Sequence, residues 1–418
     1  MSERLDPVRA WLLWGLTRLV LVVLLLTWES GSVTDLNYYR SSLADLDAHG
    51  VGGTLAEYPV PAFLLLVAPY ALLSLAGLTD LYQALVLVLL LLLDAAFLRA
   101  LLHRARTVPP VLAWIVATAA LGAISYARFD LVPGVLVGLA LLRLVDAPRR
   151  AAVLGALATG VKYSPALVLP ALAAPAAARS RVVGAGALAG LGLVAVSVAV
   201  GGWDRIVSPL SYQSDRGLQI ESVAATPAML RWALAPGEHR IFFARSLAWE
   251  IDGPWTDALL VGSGIVTALL LVVLVGLWAL AWVRLPDART GLPAVVWLTL
   301  GALSAFVVSG KVLSPQYLLW LLPAACAGLA LLEGTDRRRL GHWTVALLVA
   351  AVLSHVVYPH AYRSFIDGHS GTSLAAALVL AVRNLLLTGL CVAALAAAGD
   401  ALRRVPRRPR DPAASPVS

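Results

Sequence analysis

Charge is what this sequence has least of. Of its 418 residues only 13% are Asp, Glu, Lys or Arg, while 60% are hydrophobic. A soluble globular domain is about a quarter charged, so that class is excluded. Cysteine is almost missing. The two present, Cys326 and Cys391, fall inside apolar runs, where they read as packing residues. Neither a disulfide framework nor a zinc site is supported by them. Several signatures are absent as well: no GxxxxGK[ST] phosphate loop, no HExxH, no GxSxG, and no GxGxxG after a strand. Nothing therefore points to a soluble nucleotide-binding domain. The first apolar run lacks a small-residue cleavage site, so it is expected to stay as a membrane span. No clean repeat of the kind that builds secondary transporters is visible.

What is there is a series of apolar stretches of the length that crosses a bilayer, about 20 residues. They lie near 10–28, 81–102, 109–125, 131–145, 182–201, 257–283, 291–309, 314–332, 342–357 and 374–398. The apolar stretch 151–178 is interrupted by Lys162 and Ser164-Pro165, and is expected as two short helices meeting at that break. The fold class expected is an all-α polytopic membrane protein with about 12 transmembrane helices.

The net charge of +8 is concentrated in short connectors at 103–106, 149–150, 179–181, 284–289 and 337–339, and in the tail 403–418. Such a bias marks the cytoplasmic face and removes the need for a nucleic-acid partner. Both termini are then cytoplasmic, in a multi-pass plasma-membrane protein. The segments 29–58, 126–130, 162–165, 202–256, 309–313 and 358–373 fall outside. Parity is kept if 59–78, with Pro59, Pro61 and Pro69, does not cross but lies as a juxtamembrane or re-entrant helix. Residues 1–402 form one transmembrane domain, with 29–58 and 202–256 as the walls of an outer vestibule. The tail 403–418 is expected to be disordered. Trp11, Trp28, Trp203, Trp255, Trp282 and Trp343 are placed near span ends, as interfacial belts require.

The outer segments collect the polar chemistry. The first carries Asp35, Arg40, Asp45, Asp47, His49 and Glu57, and the second Asp215, Arg216 and Glu221. Short turns add Arg128 and Asp130, Lys162, Lys311 with Gln316, and His355, His360 and Arg363. Ionisable groups at or in the membrane are costly and are functional candidates. Cations at the ends of broken helices suit a phosphate bound at the bilayer surface. Plainer readings stand beside these. Asp35 fits a helix N-cap after Thr34. Lys162 and Lys311 could snorkel. Arg128 with Asp130, and Arg216 with Glu221, could be local pairs. His355 and His360 lack ligand partners at a convincing spacing, so no metal site is expected.

Three stretches carry a family likeness: TDLNYYR followed by EYPVPAFLLLVAPYAL; ATGVKYSPALVLPAL; and KVLSPQYLLWLLP, preceded by SDRGLQIES. In their order and membrane placement they resemble the GT-C class of integral-membrane glycosyltransferases. Within that class the chain looks like the bacterial polyprenol-phosphate-mannose-dependent α-mannosyltransferases, including the phosphatidylinositol mannoside mannosyltransferases. Val60 departs from the commoner Tyr-Pro-Pro turn.

The resemblance implies a GT-C fold with outer juxtamembrane helices and an active site on the outer face. It also implies inverting transfer of a sugar, mannose by this likeness, from a polyprenyl-phosphate donor to a glycolipid or lipoglycan acceptor. Asp35 would be the general base. Lys162, Arg216, Lys311 and Arg128 would meet the donor phosphate. Tyr38, Tyr39, Arg40, Glu57, Tyr58, Asp130, Glu221, Gln316, Tyr317 and His355 would line the substrates. The expected partners are those substrates and membrane lipids, with no cofactor. A pentose donor such as polyprenyl-phosphate arabinofuranose stays within the same class. A secondary transporter, and a membrane scaffold or polymer ligase, are the readings outside it.

Overall fold

The computed structural model describes residues 5–214 and 216–406. The chain is a bundle of apolar helices, so the expected all-α polytopic class holds. Among the described residues, seven helices are long and apolar enough to cross a membrane. They are Pro7–Leu26, Thr79–Arg104, Ala176–Gly201, Thr256–Arg284, Leu292–Ser309, Gly334–His360 and Ser373–Arg404. Shorter apolar helices lie at Val60–Leu75, Pro109–Leu121, Leu131–Arg143, Ser164–Ala173 and Pro315–Leu331. A small antiparallel hairpin, Arg240–Phe243 with Trp249–Asp252, is added inside the segment 202–256, in the register Arg240 to Asp252.

Helix starts follow ordinary rules. Proline opens many of them, because its missing N–H is no loss in a first turn. At Pro7–Leu26 the Asp6 carboxylate adds a cap, accepting from the N–H groups of Val8 and Arg9 at 3.4 Å. The break expected near Lys162 is present: Pro148–Val161 stops, Lys162 is extended, and a tight turn Ser164–Val168 leads into Leu169–Ala173. The proline-bearing stretch 59–78 forms the helix Val60–Leu75, with Pro69 inside it.

The centre of the bundle is Leu292–Ser309 packed on Ser373–Arg404, with Leu318–Leu331 against Leu131–Arg143. Backbone approach is close there. A Cβ on Gly134 would stand 1.9 Å from the Leu319 carbonyl oxygen, so the two helices touch main chain to main chain. Hydropathy does not separate core from rim. The window in Leu292–Ser309 is 89% buried, whereas that in the still more apolar Thr256–Arg284 is 11% buried. Lipid is as apolar as leucine, so an outward apolar face costs nothing in a bilayer.

An ionic cluster is sunk in this apolar mass. Asp94 is fully buried and accepts from Arg18 Nε at 2.7 Å, Trp114 Nε1 at 2.7 Å and Trp14 Nε1 at 3.0 Å, and from the Tyr126 hydroxyl. Arg18 Nη1 also donates to the Ile115 carbonyl at 2.8 Å. Both Asp94 oxygens accept from at least two donors, the condition under which a buried ion pair is tolerable.

Two expectations are corrected. Trp343 is not an interfacial anchor: it is buried, and its Nε1 donates to the Leu390 carbonyl at 2.9 Å. The last helix continues through Arg404, so the expected basic tail begins as helix. Residues 407–418 and Asp215 lie outside the described residues.

Candidate active site

The six segments expected on one side come together at one end of the bundle. Segment 29–58 meets 126–130 through Asp35 and Arg128, and 126–130 meets 162–165 through Asp130 and Lys162. Segment 202–256 folds over the first, where Arg205 Nη2 donates to the Leu55 carbonyl at 3.2 Å and Ser208 Oγ to the Ala56 carbonyl at 2.8 Å. Lys311 Nζ donates to the Ser214 carbonyl at 2.8 Å, and His360 Nε2, from segment 358–373, lies 3.6 Å from Glu29 Oε1, with His355 Nε2 at 2.7 Å. The basic connectors gather at the other end in pairs such as Arg104–Asp146 and Arg339–Asp400. An open groove of about 400 Å³ beside Arg149 and Arg181 belongs to that end.

Asp35 sits in the first turn of Thr34–Ala44, whose N-cap position is Val33 and carries no side-chain cap. The capping reading is therefore set aside. The carboxylate instead faces Arg128 Nε at 2.8 Å, off the line of a hydrogen bond, so the contact is electrostatic. Both side chains are partly exposed, at 25% and 19%. Burial pushes the Asp35 carboxyl above its ordinary value; Arg128 and Lys162 oppose that, and the neighbouring Asp130 adds to it.

The expected local pair of Arg128 with Asp130 does not form. Asp130 pairs with Lys162 Nζ at 2.6 Å and accepts from Trp320 Nε1 at 3.0 Å. Lys162 does not snorkel to solvent. Its Nζ lies 4.9 Å from the Trp320 ring centroid and 5.2 Å from that of Tyr317, and those rings stack at 4.2 Å. Tyr39, Tyr58 and Phe129 close the other flank as an edge-to-face cluster, with the two tyrosine hydroxyls 3.4 Å apart.

Tyr38 donates to Glu57 Oε1 at 2.8 Å, and burial pushes the Glu57 carboxyl up. Arg216 stands over the Tyr212 ring and donates to the Ser246 carbonyl at 3.1 Å. It and Lys311 form a rim apart from the central pairs. Gln316 is buried, with its Oε1 unpaired.

Two members of the expected set take partners outside the central pairs. Arg40 makes an exposed pair with Asp80 at 2.7 Å. Glu221 does not pair with Arg216; Arg383 Nη1 stands 3.4 Å from its Oε2, and Arg383 Nη2 donates to its carbonyl at 2.8 Å. Burial pushes the Glu221 carboxyl up to about 7, against the opposing charges of Arg383 and Arg128.

Sequence reading missed Glu29, Arg205, Arg383 and Asn384. Arg383 and Asn384 carried a usable signal, polar residues in the middle of a span. Glu29 and Arg205 carried none, since both are ordinary residues at span ends.

Residues 58–310 match the family model for glycosyltransferase family 87. No curated protein sequence matches the chain. The chain belongs to glycosyltransferase family 87 and is a membrane-embedded glycosyltransferase. Arg128, Asp130 and Lys162 lie inside the matched stretch, whereas Asp35 precedes it and Lys311, Tyr317 and His355 follow it.

Proposed function

We propose that this glycosyltransferase moves a sugar, mannose in the first instance, from a polyprenyl-phosphate donor to an envelope glycolipid or lipoglycan. In this reading the site faces outward at the plasma membrane, which the basic connectors at the opposite end of the bundle support. The observation that carries this reading is the pairing of a partly exposed carboxylate with a cation, Asp35 with Arg128 at 2.8 Å, beside a second cation, Lys162. A carboxylate is what an acceptor hydroxyl needs, and the cations are what a leaving phosphate needs.

The chemistry follows from those parts. A sugar hydroxyl is a weak nucleophile at neutral pH. Asp35, within hydrogen-bond reach, takes its proton as the new bond forms to the anomeric carbon. The bond from that carbon to the phosphate oxygen breaks on the opposite face, so the configuration inverts. The electron pair leaves on the polyprenyl phosphate, whose growing charge Arg128 and Lys162 meet. Arg216 and Lys311 attract the donor at the rim. Tyr58, the partly exposed member of the Tyr39–Tyr58–Phe129 cluster, offers its ring to the sugar, and the helix Val60–Leu75 lines the path of the lipid tail. Lipid tethering of the donor agrees with a chain that has no nucleotide-binding motif.

The test uses membranes containing the purified protein, radiolabelled polyprenyl-phosphate mannose and an envelope glycolipid extract, with Asp35→Asn alongside. Label should enter a new product with the wild type only. Transfer from the arabinose donor alone would change the sugar. Transfer from neither donor would overturn the reading.

A further inference from the structure

Glu29, His355 and His360 converge behind the candidate base, and nothing in the proposed transfer uses them as a group. Glu29 is buried, and its Oε1 lies 2.7 Å from His355 Nε2 and 3.6 Å from His360 Nε2. Its other oxygen accepts from the Ala123 N–H at 3.1 Å. The three ligand atoms lie within 4.8 Å of one another. The His355 ring fills space that only glycine leaves open: a Cβ on Gly122 would stand 2.3 Å from His355 Nε2. Gly122 also has a positive φ of 82°, which favours glycine.

A plain hydrogen bond explains one histidine but not both. The 3.6 Å separation is too long for a hydrogen bond. Two imidazole nitrogens turned onto one carboxylate oxygen, at 2.7 and 3.6 Å, instead bracket the edge of a tetrahedron around an ion, which small side-chain shifts would reach. With bonds of about 2.0–2.1 Å to nitrogen and oxygen, ligand atoms in such a site stand roughly 3.3 Å apart. We propose that Glu29, His355 and His360 bind a divalent ion of the zinc class, with the fourth position open to water. Two imidazoles and one carboxylate select zinc over the oxygen-seeking magnesium and calcium. His360 is 43% exposed, which leaves the cluster accessible to an ion from solution.

The placement gives the ion a task. Only the turn Ser30–Val33 separates Glu29 from the helix that carries Asp35. Only the short helix Ile124–Ala127 separates Ala123, bound by the same carboxylate, from Arg128. The ion would join the two segments that deliver the Asp35–Arg128 pair, with the turn Val356–His360 as the third anchor. It is a positioning site and takes no part in bond making.

The test uses tag-free full-length protein in detergent, stripped with a chelator, reloaded with Zn²⁺ and desalted. Metal content is then measured for the wild type, His360→Ala, Glu29→Gln and the control His342→Ala. Wild type and control should retain about one zinc per chain, and the other two should lose it. Cobalt in place of zinc should give the visible absorption of a tetrahedral site in the wild type only. Because His360 is partly exposed, its variant is expected to fold, and unchanged elution on gel filtration checks this. Wild-type protein that holds no more zinc than His360→Ala, or that binds cobalt without the tetrahedral spectrum, overturns the site. These readouts do not depend on the donor sugar, so they fail or succeed independently of the proposed transfer.

Discussion

The Asp35 carboxylate and the Arg128 guanidinium meet at 2.8 Å, although one opens the helix after the first span and the other ends a tight turn nearly a hundred residues later. Neither is held by a local partner. The pair exists only because separate chain segments are packed into one end of the bundle. That makes it the natural object for the first tests.

Asp35→Asn keeps the shape and removes the base. Turnover should fall about 10²–10⁴-fold, the usual worth of a positioned general base, while donor binding persists. Single-turnover transfer and a donor-binding isotherm on the same preparation separate the two. Normal turnover would remove Asp35 from the chemistry.

The Arg128 charge opposes the rise that burial imposes on the Asp35 carboxyl. Activity that needs ionised Asp35 should rise with pH through a midpoint above the ordinary aspartate value. Arg128→Ala should move that acid limb to higher pH, besides weakening donor binding. The pH profile of kcat/KM for the two proteins checks the direction. A limb that stays in place would detach Arg128 from Asp35.

Lys162 and Asp130 form a pair whose carboxylate is almost wholly buried. Lys162→Met alone strands that carboxylate with only Trp320 Nε1 and should cost about 1–3 kcal/mol. Lys162→Met with Asp130→Asn should recover most of the stability and none of the activity. Thermal unfolding in detergent supplies the cycle. A double variant as unstable as the single would mean the pair is not the source.

Glu221 gives a pH dependence of stability. Its carboxyl rises from an ordinary 4.5 to about 7 on burial, so the folded protein binds a proton that the unfolded chain releases. The contribution is full below about 4.5, falls as pH rises to about 7, and is level above that. Glu221→Gln should flatten this part of the curve. Melting temperatures between pH 4 and 8, compared with the wild type, decide it.

Much of the fold was legible because membrane spans announce themselves. The long helices overlie the apolar runs, three of them (Ala176–Gly201, Gly334–His360 and Ser373–Arg404) overrunning an expected end by six to eight residues, and the break at Lys162 was marked by a charge and a proline in sequence. The polar segments were also legible as a set. Their pairing was not. Local spacing suggested Arg128 with Asp130 and Arg216 with Glu221, yet the partners are Asp35, Lys162 and Arg383, which come from other segments. Such contacts are set by packing across the bundle and leave no periodic trace. Asp94 was hidden for a different reason: one carboxylate in a run of leucines barely lowers its hydropathy. Glu29 was overlooked because a carboxylate just past a span end is ordinary until its two histidines arrive from the far end of the chain.

The buried Arg18–Asp94 pair bears on how the protein is made. The two residues are 76 positions apart. At about 5–20 residues per second, the ribosome delivers the acid roughly 4–15 s after the base. Throughout that interval the first span carries an unmatched guanidinium, a poor passenger in hydrocarbon. Its release into lipid is therefore best delayed until the span bearing Asp94 emerges, so that the two leave the insertion machinery as a neutral unit. A cluster that joins two helices in the finished bundle thus also joins the first span to a later one in the order of synthesis.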